Sequence, residues 1–357
     1  MTPAAYATIN VRSVSHNIKK VREYAPQAKI MAVIKANAYG HGLLLIASAL
    51  KDVDAFAVAR VDEGIRLRQA GFTKRVVILE GFVCEEELQV IIQNDLDIVV
   101  HSLEQVDILE KYTTIKKISV WLKHDTGMNR LGFKTNEFSI SYQRLTDCQN
   151  VNQSVSLITH LSSADTKSST TTEQIKIFNE SVKNYSAEKS IANSAGIIAW
   201  PDSIHDWVRP GLMLYGVSPF VENTGKEIGL EPVMSLYSRL IAVKDIEKGE
   251  TVGYAGTWVS DKKTKVGVVS IGYGDGYPRY AQSGTPVLIN GKRAPLIGRV
   301  SMDMITVDLS DQIDVKLGDQ VMLWGDGLAV EEIAKYADTI PYTLLCGITP
   351  RVEMKNI

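Results

Sequence analysis

The sequence predicts an α/β protein, an N-terminal (β/α)8 barrel of the TIM type followed by a smaller, mostly antiparallel β domain. Two observations carry this. Over about two hundred residues, apolar runs of strand length alternate with segments of helical period, giving eight strands. From about Leu230 the rhythm changes to short, alternating or β-branched segments separated by Gly, Asp, Asn and Pro. No Gly-x-Gly-x-x-Gly turn follows the first strand of the alternating part, which weighs against an open doubly wound sheet.

In chain order, a short strand over 5–11 precedes an amphipathic helix over 13–25, with Val14, Ile18 and Val21 on one face. Barrel strands are expected at 29–35, 54–59, 75–80, 97–101, 116–123, 155–160, 189–193 and 206–209. Helices fit between most of them, at 43–50, 61–70, 85–94, 103–111, 137–147 and 172–185. The β domain follows with strands at 236–243, 265–271, 286–289, 304–309 and 320–323, interrupted by one helix at 330–337. Residues 220–229 form the natural junction, so the expected domains are 1–228 and 229–357, with residues 1–11 candidates to pair with the second. The Ser- and Thr-rich stretch 162–172 reads as a loop.

Composition narrows the function. In 357 residues, 39 basic and 41 acidic side chains leave a formal net charge of -2, with no excess for a phosphate backbone or an anionic membrane surface. Neither nucleic acid nor membrane is an expected partner. The N-terminus lacks the basic region and apolar core of a signal peptide, and no apolar run approaches spanning length, so a cytoplasmic protein is expected. Cys84, Cys148 and Cys346 are far apart and odd in number, which argues against disulfides or a spaced zinc site; no metal is expected.

The chemistry starts at the stretch 32–42, where a buried strand delivers Lys35 to a small-residue turn. A buried ammonium is costly unless paired, neutralised or converted, so a strand-end lysine is a candidate for Schiff-base chemistry. Taken alone, a lysine snorkelling out of the strand is the commoner case. Barrels of this type place their chemistry at the C-terminal strand ends, which supplies a test. Those ends carry Lys35, Lys123 with Arg130, His160, Asn193 with Ser194, and Arg209 with Gly211. Such a ring suits a phosphate and a carboxylate together. The Ser194 hydroxyl and the amides of Gly196 and Gly211 could cradle the phosphate. A lysine, a phosphate site and arginines together point to pyridoxal phosphate.

The stretches 32–42, 123–132, 159–165, 193–196, 209–216, 252–258, 271–279 and 298–303 resemble, in order and spacing, the motifs of bacterial alanine racemases. That resemblance runs from the first strand to the last few residues. It implies interconversion of L- and D-alanine by two bases, in a homodimer with shared active sites. Lys35 would hold pyridoxal 5'-phosphate covalently and act on one face of the α-carbon, with Tyr254 of the partner subunit's β domain on the other. His160 would couple Tyr254 to Arg209, and Arg209 would face the pyridine nitrogen. Arg130 would contact the cofactor's phenolic oxygen and the substrate carboxylate. Lys123 matches a lysine that is often carbamylated. Tyr39, Asn193, Ser194, Gly211 and Leu212 match cofactor contacts. Tyr273, Met302 and Asp303 match substrate-entrance residues, and Asp165, Arg279 and Arg299 a charged layer farther out. The chain departs from the family at Pro350, where several members have a phosphate-contact tyrosine; proline offers neither hydroxyl nor amide donor.

The resemblance leaves peptidoglycan supply and alanine catabolism both open as roles. A broader-specificity amino-acid racemase is the nearest alternative function. A pyridoxal-phosphate decarboxylase of basic amino acids would share the layout, but no cysteine stands in a matching donor motif. A non-catalytic pyridoxal-phosphate carrier leaves the β domain unexplained.

Overall fold

The computed structural model describes residues 4–357, which form two compact units. One comprises Asn17–Ala38 and Gly42–Leu214. The other comprises the described residues up to His16 with Tyr39–His41 and Tyr215–Ile357. The opening strand β1 (Tyr6–Ile9) belongs to the latter and the helix Val11–Tyr24 follows it.

The first unit is a closed barrel of eight parallel strands: β2 (Lys29–Val33), β3 (Ala55–Val58), β4 (Arg75–Ile78), β5 (Asp97–Val100), β6 (Val120–Lys123), β7 (Ser156–Ile158), β8 (Lys189–Ser190) and β9 (Trp207–Val208). Neighbours pair in sequence order, and β2 closes on β9 through Lys29 opposite Trp207 and Ile30 opposite Val208. Each strand overlaps an expected segment but is shorter, because the ladder ends where the chain turns toward a helix. Ile30 to Ala32, Phe56 to Val58 and Val76 to Ile78 are fully buried, as expected of parallel strands covered on both faces.

The N-terminal strand ends are shut by side-chain packing. Arg75 lies against the rings of both Trp121 and Trp207, at 5.9 and 5.5 Å, and pairs with Asp97 at 2.7 Å. Lys29 pairs with Glu188 at 2.5 Å, and Glu188 accepts the Trp207 indole N–H at 2.9 Å. The opposite, C-terminal ends carry the candidate chemistry.

The second unit is built on β10 (Met234–Ile246), whose two register shifts let one long strand serve different partners along its length. It pairs antiparallel with β1, with β17 (Gln320–Trp324) and, farther along, with β13 (Thr264–Val269). A hairpin of β11 (Thr251–Val252) and β12 (Trp258–Val259) stands apart. β14 (Pro286–Ile289) and β15 (Lys292–Pro295) form a second hairpin, β16 (Ile305–Asp308) pairs with β13, and β18 (Glu353–Asn356) runs parallel to β1. β15 was not among the expected strands, although Asn290 and Gly291 both adopt positive φ, the conformation an Asn-Gly hairpin turn selects. Beside the helix Val330–Tyr336 there is a second, Pro341–Cys346, too short to show a helical period in the sequence.

Candidate functional site

Lys35 follows β2 by two residues and opens a left-handed turn rather than ending the strand. Ala36, Asn37, Ala38 and Tyr39 have φ of 52°, 53°, 55° and 51°. For residues with a Cβ this conformation costs about 1–2 kcal/mol each, so four in succession require compensating bonds. Ala38 N–H donates to Ile34 O at 2.9 Å, closing the turn around Lys35. Asn37 O accepts from Gly42 N–H, and Asn37 Oδ1 accepts from Leu43 N–H, both at 3.0 Å.

Lys123 ends β6, and the loop after it is shaped by Asp125. That buried carboxylate accepts from the amides of Gly127 (3.1 Å) and Asn129 (3.0 Å) and from the Lys134 ammonium (2.7 Å), which sets the course of the segment bearing Arg130. Its carboxyl is held below the ordinary aspartate range; burial opposes this, and the Lys134 bond and the two amides outweigh it.

Arg209 follows β9 and is 4% exposed. Its guanidinium donates to Ser190 Oγ (2.6 Å), Thr159 O (2.6 Å) and Ile191 O (3.1 Å). All three acceptors are neutral, and among the described residues no carboxylate pairs with it. Burial pushes its pKa down to about 9, still charged at neutral pH. The same region pushes Lys123 down to about 8, through burial first and then the charges of Arg209 and Arg130, with Asp125 opposing. His160 is held neutral by burial and then by Arg209, Lys123, Arg130 and Lys35. Lys35, Lys123, Arg130, His160 and Arg209 therefore share one electrostatic environment in the barrel unit. Four cations around a neutral imidazole suit a ligand carrying phosphate and carboxylate charge, and pyridoxal phosphate with an amino acid fits that donor set.

The expected phosphate cradle needs a correction. Gly196 N–H is already given to Asn193 Oδ1 at 2.9 Å, capping the short helix Ser194–Ala199, and Gly211 N–H to Ser194 Oγ at 3.0 Å. Ser194 Oγ also accepts from Met213 N–H at 3.3 Å, so this hydroxyl is oriented by two amides while its own hydrogen remains to donate. Leu212 is buried next to Gly211.

The remaining candidates lie in the other unit, with the exception of Asp165, an exposed residue of the barrel unit. Tyr39 packs against Tyr215 and Tyr342, at ring separations of 4.8 and 5.6 Å, and burial raises its phenol pKa. Tyr254 stands at the tip of the β11–β12 hairpin with 65% of its surface exposed. The turn Tyr273–Asp275 is joined to the loop after β15: Tyr273 N–H donates to Ser301 O and Gly274 N–H to Met302 O. Tyr273, Met302 and Asp303 are all exposed. Arg351 bridges Asp275 (3.2 Å) and Asp303 (2.8 Å), a link nothing in the sequence announced. Arg279 lies 6.0 Å from the Tyr273 ring, Arg299 is exposed, and Pro350 is exposed beside Arg351.

Sequence reasoning also missed Glu63. Its local signal was a glutamate in the first turn of a helix; its contact with Asn37, 26 residues away, had none.

A closed (β/α)8 barrel bearing a lysine-headed cationic mouth, in series with an antiparallel β unit, defines a two-part enzyme of amino-acid chemistry. Residues 9–219 match the family model for the alanine racemase N-terminal domain, and residues 233–356 match that for its C-terminal domain. The biosynthetic alanine racemase of Escherichia coli K12 is 50% identical over 356 residues, 99% of each chain. The crystal structure of the biosynthetic alanine racemase of Pseudomonas aeruginosa superposes with a TM-score of 0.97 at 40% identity, over 100% of both chains. An alanine racemase of Bartonella henselae, solved with covalently bound pyridoxal phosphate, gives 0.90 at 29% identity over 100% of both chains. The chain belongs to the alanine racemase family.

Proposed function

We propose that this chain interconverts L- and D-alanine, with pyridoxal 5'-phosphate held covalently by Lys35. The observation that carries this is the cluster of Lys35, Lys123, Arg130 and Arg209 with His160, four basic side chains in one environment, with no carboxylate pairing with buried Arg209 among the described residues. When bound, the cofactor supplies an electron sink that acidifies the substrate's α-carbon.

The protein's residues divide the rest of the work. Lys35 Nζ takes or returns a proton on one face of the α-carbon, and the phenol oxygen of Tyr254 does so on the other, as stereoinversion requires. Tyr254 is exposed and on the second unit, and it serves the partner subunit of a homodimer whose active sites are shared. The same unit also exposes Tyr273, Tyr280, Met302 and Met304, the kind of surface such a partner covers. A phenol is a weak base at neutral pH; His160, held neutral, gives its N–H to the phenol oxygen, which favours the phenolate, and couples it to the Arg209 charge.

Arg209 would face the pyridine nitrogen and, because a guanidinium does not readily surrender its proton, would leave it unprotonated. With Arg209 there, racemisation would be favoured over transamination. Arg130 binds the substrate carboxylate and the cofactor's phenolic oxygen. Lys123, whose pKa near 8 leaves a fraction of neutral amine at physiological pH, carries a carbamate that orients Arg130. Ser194 gives its hydroxyl hydrogen to the phosphate, with the Gly211 amide orienting that hydroxyl, and Tyr39, Asn193 and Leu212 complete the phosphate end. Tyr273, Met302 and Asp303 narrow the entrance, so that alanine is favoured by exclusion of larger side chains.

The Escherichia coli and Pseudomonas aeruginosa relatives carry the word biosynthetic in their names, which supports D-alanine supply for peptidoglycan over catabolism. A cytoplasmic location accords with this role; among the described residues no helix is long and apolar enough to cross a membrane. The deciding experiment incubates the purified holoenzyme with a panel of L-amino acids and follows D-products by chiral chromatography. Alanine should invert fastest. Faster inversion of serine, lysine or arginine would sink the substrate assignment and favour a broad-specificity racemase.

A further inference from the structure

Glu63, in the first turn of the helix Val61–Gln69, is 7% exposed and accepts three backbone amides. Its Oε2 takes those of Ala59 (3.0 Å) and Arg60 (3.4 Å), an ordinary helix-start arrangement. Its Oε1 takes a different one, the amide of Asn37 at 3.3 Å. Asn37 sits in the middle of the left-handed turn opened by Lys35, and it is tied at two further points, its carbonyl to Gly42 N–H and its side-chain oxygen to Leu43 N–H. The turn thus has one fixed hub. One of its ties runs to a buried carboxylate of the barrel unit, and the Ala38 N–H to Ile34 O bond wraps the same turn around Lys35.

We infer that Glu63 is a positioning residue for Lys35: by holding the Asn37 amide it keeps the left-handed turn closed and so fixes where the Lys35 amine stands. A carboxylate is suited to this because both of its oxygens accept, whereas a carboxamide would turn an N–H toward one of the amides it must receive. Loss of the bond lets four strained residues relax, and a displacement of the reacting amine by a fraction of an ångström is costly for proton transfer even when substrate still binds. This inference rests on the proposed role of Lys35.

The test compares Glu63→Gln with Ser102→Ala in the holoenzyme. Ser102 caps the helix Leu103–Lys111 by accepting from Gln105 N–H, so its loss removes a helix cap of the same unit with no link to Lys35. Three quantities are measured: thermal midpoint, kcat and KM for alanine, and the pH titration of the cofactor's visible absorbance, which reports the Lys35 linkage. Both variants should lose thermal midpoint. Glu63→Gln alone should lower kcat about 10- to 100-fold with KM changed less than about 2-fold, and it should displace the absorbance titration. A kcat and titration like those of Ser102→Ala would reduce Glu63 to a helix cap and overturn the inference.

Should Glu63→Gln fail to fold, Asn37→Asp carries the test. Asn37 is exposed, the aspartate keeps an acceptor for Leu43 N–H, and the change sets a like charge beside Glu63. Lower kcat with a displaced titration supports positioning; wild-type values overturn it. Absence of D-alanine formation by the wild-type holoenzyme would defeat the functional reading alone, since the absorbance titration still reads the effect of Glu63 on Lys35.

Discussion

The guanidinium of Arg209 donates to the main-chain carbonyl of Thr159 at 2.6 Å, so the cation after β9 is tied to the end of β7, one residue before His160. With Ser190 Oγ and Ile191 O it has three neutral acceptors, and its charge is left to act on whatever enters the barrel mouth.

That charge leads to the first prediction. Replacing Arg209 by glutamate allows the ring nitrogen to be protonated and strengthens the electron sink. Racemisation should fall by about 100-fold or more, and transamination should claim a larger share of turnovers, read as pyruvate formed per D-alanine. An unchanged ratio in a folded Arg209→Glu protein would count against the role given to Arg209.

Lys123 supplies the second. Its pKa of about 8 means that the neutral, carbon-dioxide-reactive amine grows from a minor to the major form as pH rises through 8. With 13C-labelled bicarbonate, the wild-type protein should show a carbamate carbon resonance that strengthens over this range and is missing from Lys123→Ala. No such signal at pH 9 would remove the carbamate from the scheme.

The third concerns stability in acid. His124 is fully buried, with its ring 4.6 Å from Phe138, and its pKa is lowered to about 4, chiefly by burial. The unfolded chain therefore takes up this proton first. Stability is intact above the ordinary histidine pKa near 6.5 and is lost as pH falls from there to about 4, by about 3 kcal/mol. His124→Phe, which keeps an aromatic ring against Phe138, should show that much less acid destabilisation in urea unfolding followed from pH 7 to pH 4. An identical pH dependence in the two proteins would place the acid sensitivity elsewhere.

The fourth tests the shared site. Lys35→Ala and Tyr254→Phe should each be nearly inactive as homodimers, losing about 1000-fold or more. Mixed and allowed to exchange subunits, they should regain activity, because one site of the mixed dimer combines Lys35 of one chain with Tyr254 of the other. No recovery, with exchange verified by mass spectrometry, would show that both bases come from one chain.

The amino-acid sequence by itself determined the order of elements and the chemistry available at the strand ends. The parallel strands were legible because most are buried apolar runs, β8 (Lys189–Ser190) being the exception, and the helices between them have a period the chain displays locally. Lys35, Lys123, His160 and Arg209 became candidates by the same route, each standing at or just beyond a strand end. Short elements escaped: β15 is four residues long with only Ala294 buried, and Pro341–Cys346 is less than two turns long. Tertiary structure alone decided the left-handed turn after Lys35, since local sterics disfavour it at every non-glycine residue and only distant partners offset the cost. It also decided which donors were already spent. The Gly196 and Gly211 amides looked available in the sequence and are engaged by Asn193 and Ser194. Burial and neighbouring charge, which no local pattern encodes, set the Lys123 amine near pH 8, hold His160 neutral and bring Glu63 to Asn37.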